Sequence, residues 1–353
     1  MNTPTARSGP RVTVVIVNWN GAAHLAECLA SLRAQRLPDP FEIVVVDNGS
    51  TDGSQALLAD LQTEPGPPLH VIANATNLGF ATGCNQGIRA SASPYIALLN
   101  NDTAVEPDWL AALLGAIERD ETIGCCASKI LSYQDRTILD NVGHVVFADG
   151  LTRGKGRLQV DRGQFARQEE VFCISGCAAL LRRRMLDDIG LFDELFFAYC
   201  EDADLGFRAR LRGWRCIYVP TAIVYHKFSA TSAPFSAFKA LQVERNRLWL
   251  ALKNLPGPLL LLSPLFTLQR YWWQGVGALT GRGASGRFVG DGVGSRGGLA
   301  LLLLRAYGQA LRGLPRVLRQ RRTIQARRTA STREVISWLR RYGVGAKEIA
   351  LLE

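Results

Sequence analysis

Residues 12–17 (VTVVIV) form an unbroken, mostly β-branched run, the pattern of a strand buried on both faces. Residues 22–35 then set Leu25, Cys28, Leu29 and Leu32 at helical spacing. A second apolar run at 42–46 ends on Asp47. The pattern predicts a short helix at 54–62, a turn at 64–68 (EPGPP), a third strand at 69–73, a helix at 81–90 and a fourth strand at 95–99. Strand and helix alternate at the spacing of a doubly wound, parallel α/β sheet, whose ligand crevice lies at the carboxyl ends of the strands. The polar clusters fall at those ends: 18–21 (NWNG), 47–54 (DNGSTDGS), 77–85 (NLGFATGCN) and 100–103 (NNDT).

From 104 to 240 the pattern is less regular. An amphipathic helix is expected at 106–119, with Pro107 in its first turn where the missing N–H costs little. Residues 150–170 are Gly- and Arg-rich and read as a mobile loop, 171–175 as a strand, and 178–186 as a helix carrying Arg182, Arg183 and Arg184. A helix at 201–211 and short strands at 215–219 and 222–225 follow, then a helix at 236–254. Residues 1–10 read as a disordered start, and no internal repeat is visible.

The last third changes character. The uncharged stretch 255–268 is broken by Pro256, Pro258 and Pro264 and is shorter than the ~20 residues that span a bilayer. Tyr271, Trp272 and Trp273 suit a water–lipid interface. Residues 281–298 have the composition of a flexible linker, and 299–322 that of a basic amphipathic helix with Leu304, Leu311 and Leu318 on one face.

Composition sharpens this division. Of 353 residues, 47% are apolar and 20% charged, which allows a sizeable core and excludes a wholly disordered chain. The net charge of +10 is uneven: residues 241–353 hold 19 Lys and Arg against 5 Asp and Glu, and the rest holds 22 against 26. A mildly acidic body with a basic, Leu-rich tail is expected of an enzyme lying on an anionic membrane surface. Eight cysteines without a C-x-x-C pair, and no secretory pattern at the start, are expected of reduced, buried thiols in the cytoplasm.

Four groups of residues carry candidate chemistry. Asp47 at a strand end can accept hydrogen bonds from a nucleobase or ribose, and the turn after it leads to a helix N-terminus that favours ligand oxygens. Asp102, ending the apolar strand of LLNNDT, suits Mg²⁺ or Mn²⁺ bridging two phosphates, or else caps the next helix. Five carboxylates (Asp193, Glu194, Glu201, Asp202, Asp204) lie among aromatic residues in FDELFFAYCEDADLGFR (192–208), where a general base can arise. His226 belongs either to a structural strand end or, if the fold returns it to Asp102, to the metal site.

Taken together, VIVNWNG (15–21), VVVDNGSTDGS (44–54), NLGFATGCNQGI (77–88), LLNNDT (98–103), ISGCAALLRR (174–183), GLFDELFFAYCEDADLGFR (190–208) and Tyr225-His226 resemble the family-2 glycosyltransferases, the inverting enzymes of GT-A fold, within their rhamnosyltransferase-like branch. The resemblance covers about residues 11–255. It implies a GT-A domain at 11–254, nucleotide-binding over about 11–103 and acceptor-binding over about 104–254, followed by a basic helical tail at 255–353. It implies that Asp47 contacts nucleobase and ribose, and that Asn18, Asn77, Gly79, Asn85, Asn100 and Asn101 shape the nucleotide pocket. Asp102 would be the metal-ligating last acid of the family's D-x-D motif, whose first acid is here Asn100. Gly176 and Cys177 would line the acceptor side, Asp202 would be the general base with Glu201 the alternative, and His226 a further metal ligand. The implied substrates are a nucleoside diphosphate sugar, dTDP-rhamnose or a UDP-sugar, and a glycan or lipid-linked glycan acceptor at the inner face of a bacterial membrane.

Two other readings compete. A sugar nucleotidyltransferase would carry Lys or Arg in the loop after the first strand, and residues 18–27 hold neither. A non-catalytic, basic-tailed binding protein remains, although stacking aromatics are too sparse from 282 to 334 for a nucleic-acid partner.

Overall fold

The computed structural model of the protein describes residues 9–227, 236–290 and 295–351. Most of the expected disordered start therefore lies outside the described residues, as does the Ser/Thr-rich segment after Lys227. The first half follows the alternation read from the sequence: β1 (Val12–Asn18), α1 (Ala22–Arg33), β2 (Phe41–Asp47), α2 (Ser54–Gln62), β3 (Leu69–Ala73), α3 (Phe80–Ala90) and β4 (Tyr95–Asn100). These four strands pair in parallel, in the order β4-β1-β2-β3. Their registers align Asn18 with Asp47 and Val17 with Asn100, so the polar strand ends lie side by side.

The second half extends the same sheet. Next come β5 (Thr103–Val105), α4 (Trp109–Ile117), β6 (Ile123–Ser132), β7 (Leu139–Asn141), β8 (His144–Val146), β9 (Thr152–Gly154), β10 (Glu169–Glu170) and β11 (Ala178–Arg182). Then follow α5 (Arg183–Ile189), a 3-10 turn (Glu194–Phe196), α6 (Glu201–Leu211) and β12 (Arg215–His226). β11 inserts antiparallel between β4 and β6, and β12 pairs parallel with β6. The expected doubly wound sheet is thus found, with one reversed strand at its middle. Helices cover both faces. One core holds Leu25, Leu29, Trp109 and Leu113, and the other Ile88, Leu98, Met185 and Leu205.

Several expectations are corrected here. Residues 178–186 are a strand and then a helix: Ala178–Arg182 is wedged between two strands, where burial overrides the helix propensity of Ala and Leu. Residues 171–175 lie outside the named strands, with one isolated bridge, Cys173 to His144. The two short strands at 215–225 are a single strand, with Pro220 inside the register shift between Val219 and Ile223. The 150–170 segment carries β9 and β10 and is tied down by Arg157 to Asp140 (2.8 Å) and Lys155 to Glu169 (2.6 Å).

The tail is helical: α7 (Ala237–Asn254), α8 (Gly257–Thr280), α9 (Gly283–Gly290), α10 (Arg296–Arg327), α11 (Thr332–Arg341) and α12 (Ala346–Leu351). The stretch 255–268 does not break. Pro258 sits in the first turn of α8, and Pro264 is accommodated inside it. Residues 283–290 of the expected linker are α9. α10 buries Leu302, Ala306, Ala310 and Val317, the last two in a core shared with Phe172, Phe196, Phe207 and Trp249. Leu304, Leu311 and Leu318 face outward.

α8 is inverted relative to an ordinary surface helix. Its buried stripe is polar: Ser263, Thr267 and Arg270. Arg270 bonds Asp149 (2.8 Å) and Glu244 (2.6 and 3.0 Å), all beneath the surface. Its outer stripe is apolar, with Leu261 at 82% and Trp272 at 71% exposure, and Leu265, Leu268 and Leu279 also exposed. Among the described residues no helix is long and apolar enough to cross a membrane.

Candidate active site

The site is assembled from adjacent strand ends. At the end of β2, Asp47 is fully buried and receives Asn18 Nδ2 (2.8 Å), Ser50 Oγ (2.6 Å), the Ser50 N–H (3.1 Å) and Gln55 Nε2 (3.0 Å). Burial alone would raise its pKa, but these donors outweigh it and hold the carboxyl below its ordinary range. Asn18 in turn accepts Asn101 Nδ2 at 2.7 Å. A Cβ at Gly21 would lie 2.0 Å from that Asn101 nitrogen, so glycine there makes room for the contact. Asn101 therefore supports the base of the Asp47 cluster from within. Asn100 uses its backbone, donating its N–H to Cys177 O (2.8 Å) and accepting Thr103 Oγ1 (2.7 Å).

Between β3 and α3, Asn77 Oδ1 accepts the Gly79 N–H (2.9 Å) and shapes the turn into α3. Gly79 has φ +89°, and a Cβ there would meet the Phe197 ring and carbonyl at 2.6 Å. Asn85 lies deeper. Its amide donates to Phe192 O and Glu194 Oε1 (2.9 Å each) and accepts the Phe192 N–H (3.0 Å), which ties α3 to the 192–194 segment and leaves no donor for a nucleotide.

β12 returns His226 to Asp102. Register pairs His226 with Thr103, and Lys227 N–H donates to Asp102 O (2.9 Å). His226 Nε2 then lies 3.3 Å from Asp102 Oδ1, while Nδ1 lies 2.7 Å from Asp140 Oδ2. Burial would lower the imidazole pKa, but Cys177, Asp102 and Asp140 together push it well above its ordinary value. Asp140 is a site residue that the sequence reading missed, since it belongs to no strand-end motif. Asp102 and His226 bring one carboxylate oxygen and one imidazole nitrogen together, two donors that a divalent ion could use. Among the described residues no group of three His, Cys, Asp or Glu forms a metal cage. An ion on this pair would complete its shell with substrate oxygens and water, as Mg²⁺ and Mn²⁺ do in phosphate sites.

Gly176 and Cys177 connect this pair to the acid cluster. Cys177 is buried and hydrogen-bonded to His226, and the Gly176 N–H donates to Asp202 Oδ2 at 2.9 Å. Asp202 Oδ1 receives the Ala203 N–H (2.7 Å). Asp202 is half-buried, whereas its neighbour Glu201 is buried with Oε2 lacking a partner. Burial and then the Asp202 charge push the Glu201 pKa well above its ordinary value. The other acids of the cluster serve elsewhere: Asp204 and Asp193 pair with the buried Lys253 (2.9 and 2.8 Å).

Residues 13–190 match the sequence profile described as Glycosyl transferase family 2. The chain belongs to that family. Among its relatives is an N-acetylglucosaminyl-diphospho-decaprenol L-rhamnosyltransferase of Mycobacterium tuberculosis, 29% identical over 240 residues, covering 62% of this chain and 76% of the relative. The succinoglycan biosynthesis protein ExoO of Rhizobium meliloti is 31% identical over 232 residues, covering 64% of this chain and 63% of that protein. Among solved structures, the mannosyltransferase PcManGT of Pyrobaculum calidifontis, in complex with GDP-Man and Mn²⁺, has a TM-score of 0.52 at 18% identity, over 92% of this chain and 87% of that one. GalNAc-T7 with UDP, GalNAc and Mn²⁺ has a TM-score of 0.56 at 17% identity, over 69% of this chain and 47% of that one. The glycosyltransferase and its GT-A fold are thus as the motifs implied, and its relatives include the rhamnosyltransferase branch. The nucleotidyltransferase and the non-catalytic readings give way to it.

Proposed function

We propose that this family-2 glycosyltransferase moves a hexosyl group, L-rhamnose from dTDP-rhamnose, to a hydroxyl of a lipid-linked glycan, with inversion. The observation that carries the reading is the run from Asp47 through Asp102 and His226, at strand ends, to Asp202 in the first turn of α6. Asp47 and Asn18 receive the nucleoside, Asn77 and Gly79 border it, and Gly176 and Cys177 face the acceptor. Asp102 and His226 would hold Mg²⁺ or Mn²⁺. When bound, that ion supplies Lewis-acid neutralisation of charge on the leaving diphosphate.

Asp202 is the general base. It takes the acceptor hydroxyl proton as the oxygen forms its bond to the anomeric carbon. The bond from that carbon to the diphosphate oxygen breaks, and its electron pair leaves with the nucleoside diphosphate. The Gly176 and Ala203 N–H groups hold the carboxylate in place, whereas Glu201 is buried away from the acceptor side. One displacement inverts the anomeric centre. The choice of rhamnose and of a lipid-linked acceptor is supported by the relative of similar sequence that bears the name of a decaprenol-linked rhamnosyltransferase.

The tail serves to dock the enzyme on the anionic inner face of the membrane. Supporting this are the inverted stripe of α8, the outward Leu304, Leu311 and Leu318 of α10, and the excess of basic residues beside them. A donor screen decides the function: dTDP-rhamnose, UDP-sugars and GDP-mannose are incubated with Mn²⁺ and Mg²⁺, and release of nucleoside diphosphate is measured. Turnover of dTDP-rhamnose above the others is expected. Preference for another donor replaces the sugar, and no turnover of any donor removes the reading.

A further inference from the structure

The backbone immediately before the Glu201–Asp202 dyad is strained. Phe197, Tyr199 and Cys200 have φ of +64°, +70° and +67°. Only glycine adopts this region freely, and aromatic side chains are disfavoured there. Phe197, at ψ −67°, is the centre of a γ-turn closed by the Ala198 N–H on Phe196 O (2.7 Å). Such conformations persist only where surrounding contacts over-determine them.

One side chain gathers three of the segment's carbonyls. Asn246, on α7, is fully buried, and its Nδ2 lies 2.9 Å from Phe196 O, 2.9 Å from Ala198 O and 2.7 Å from Tyr199 O. Its Oδ1 accepts Arg245 Nε (3.0 Å), and Arg245 Nη2 also reaches Phe196 O (3.1 Å). Three carbonyl oxygens turned toward one point repel one another unless a donor stands between them, and the amide is that donor.

The strained segment touches the site at both ends. Upstream, the Phe197 carbonyl accepts the Ala81 N–H (3.1 Å) and its ring packs over Gly79. Downstream, Cys200 is the N-cap of α6, so its conformation sets the direction in which Glu201 and Asp202 leave. We infer that Asn246 is a positioning residue: by gathering the carbonyls of 196, 198 and 199 it fixes the backbone that aims the Asp202 carboxylate. The inference rests on the reading of Asp202 as the general base.

The test uses full-length Asn246→Ala and Asn246→Ser, each alone and with Cys200→Gly, and Asp202→Asn as control. kcat and KM are taken from nucleoside diphosphate release with the donor that the screen selects. Calorimetry with dTDP or UDP and Mn²⁺ gives nucleotide affinity, and thermal unfolding is recorded. Misplacing a reacting group by about 1 Å can cost about a hundredfold. The expected kcat loss is therefore between about tenfold and a hundredfold for Ala and smaller for Ser, which keeps one donor. Nucleotide affinity should change by less than about threefold, because the Asp47 cluster is untouched. Cys200→Gly relieves a positive φ and should recover part of the loss in each Asn246 variant.

Unchanged kcat in Asn246→Ala overturns the inference. So does a parallel fall in kcat, nucleotide affinity and melting temperature that glycine does not relieve, which is the mark of a residue that only packs. If neither Asn246 variant folds, Asn246 is a folding residue and the inference is likewise lost. Activity of Asp202→Asn close to the parent's removes the base assignment itself, whatever the Asn246 variants do.

Discussion

Nδ1 of His226 sits 2.7 Å from Oδ2 of Asp140, on the side of the ring opposite Asp102. A carboxylate on the far nitrogen fixes tautomer and orientation, which is how metal-binding imidazoles are held. Asp102→Ala is expected to abolish the Mn²⁺-dependent part of dTDP or UDP binding with the fold intact. Asp140→Asn should weaken that part by roughly ten- to a hundredfold. Titration calorimetry with and without Mn²⁺ checks both. Metal-dependent affinity unchanged in Asp102→Ala would take the ion elsewhere.

Asp202→Asn keeps the shape of the side chain but cannot take a proton. Turnover should fall by about a hundredfold or more, with donor affinity nearly unchanged. Glu201→Gln, at a buried side chain, should lose far less. The reverse ranking in a steady-state assay would transfer the role of base to Glu201.

The first half of the sheet was legible because its strands are long apolar runs ending in polar residues, as in VTVVIVN and FEIVVVD. AALLR was misread because its residues favour helices, and only the two flanking strands make it extended. β6 (IGCCASKILS) passed unnoticed since small residues and cysteines give it neither alternation nor β-branching. Asp140 and Asn246 stand in segments without motifs, and their roles depend on contacts 86 and about 50 positions away. Burial was the other blind spot. Asn246, Arg247 and Lys253 are polar residues of a helix whose buried face no pattern marked, yet all three are enclosed.

Gly79→Ala places a methyl group 2.6 Å from the Phe197 ring and carbonyl, at a φ of +89° that alanine resists. A destabilisation of about 1–3 kcal/mol is expected from the crowding and the backbone strain. Urea unfolding of the variant against the parent measures it. A midpoint equal to the parent's would show that Phe197 moves aside freely.

Glu244 carries a pH dependence. Burial would raise its pKa, but Arg270 and Arg247 outweigh this and bring it from 4.5 down to about 2. A depressed folded-state pKa contributes stability above the unfolded value, and that stability is lost as pH falls from about 4.5 toward 2. The loss is on the order of 3 kcal/mol for this group. Glu244→Gln should flatten that part of the stability profile and, by leaving Arg270 short of charge, lower stability at neutral pH. Denaturant unfolding between pH 3 and 7 checks the slope in parent and variant.

The outward stripe of α8 gives a membrane prediction. Full-length protein should float with anionic liposomes, less so at high salt, and bind neutral vesicles poorly, because screening shortens the reach of the basic charges. Leu265→Glu with Trp272→Glu should abolish flotation and leave turnover of the soluble donor intact. Flotation that survives the double substitution would shift the contact to α10 or remove it.

The sheet order has a consequence for dissecting the protein. The family match ends at residue 190, but β12, at Arg215–His226, covers the flank of β6 and pairs with β5. A fragment cut at the family boundary would bare the Cys125–Ser132 side of a long strand, with its N–H and C=O groups unpaired. Such an edge recruits other chains. Recombinant pieces stopping near 190 should therefore precipitate or form oligomers, and the shortest well-behaved fragment must run past His226.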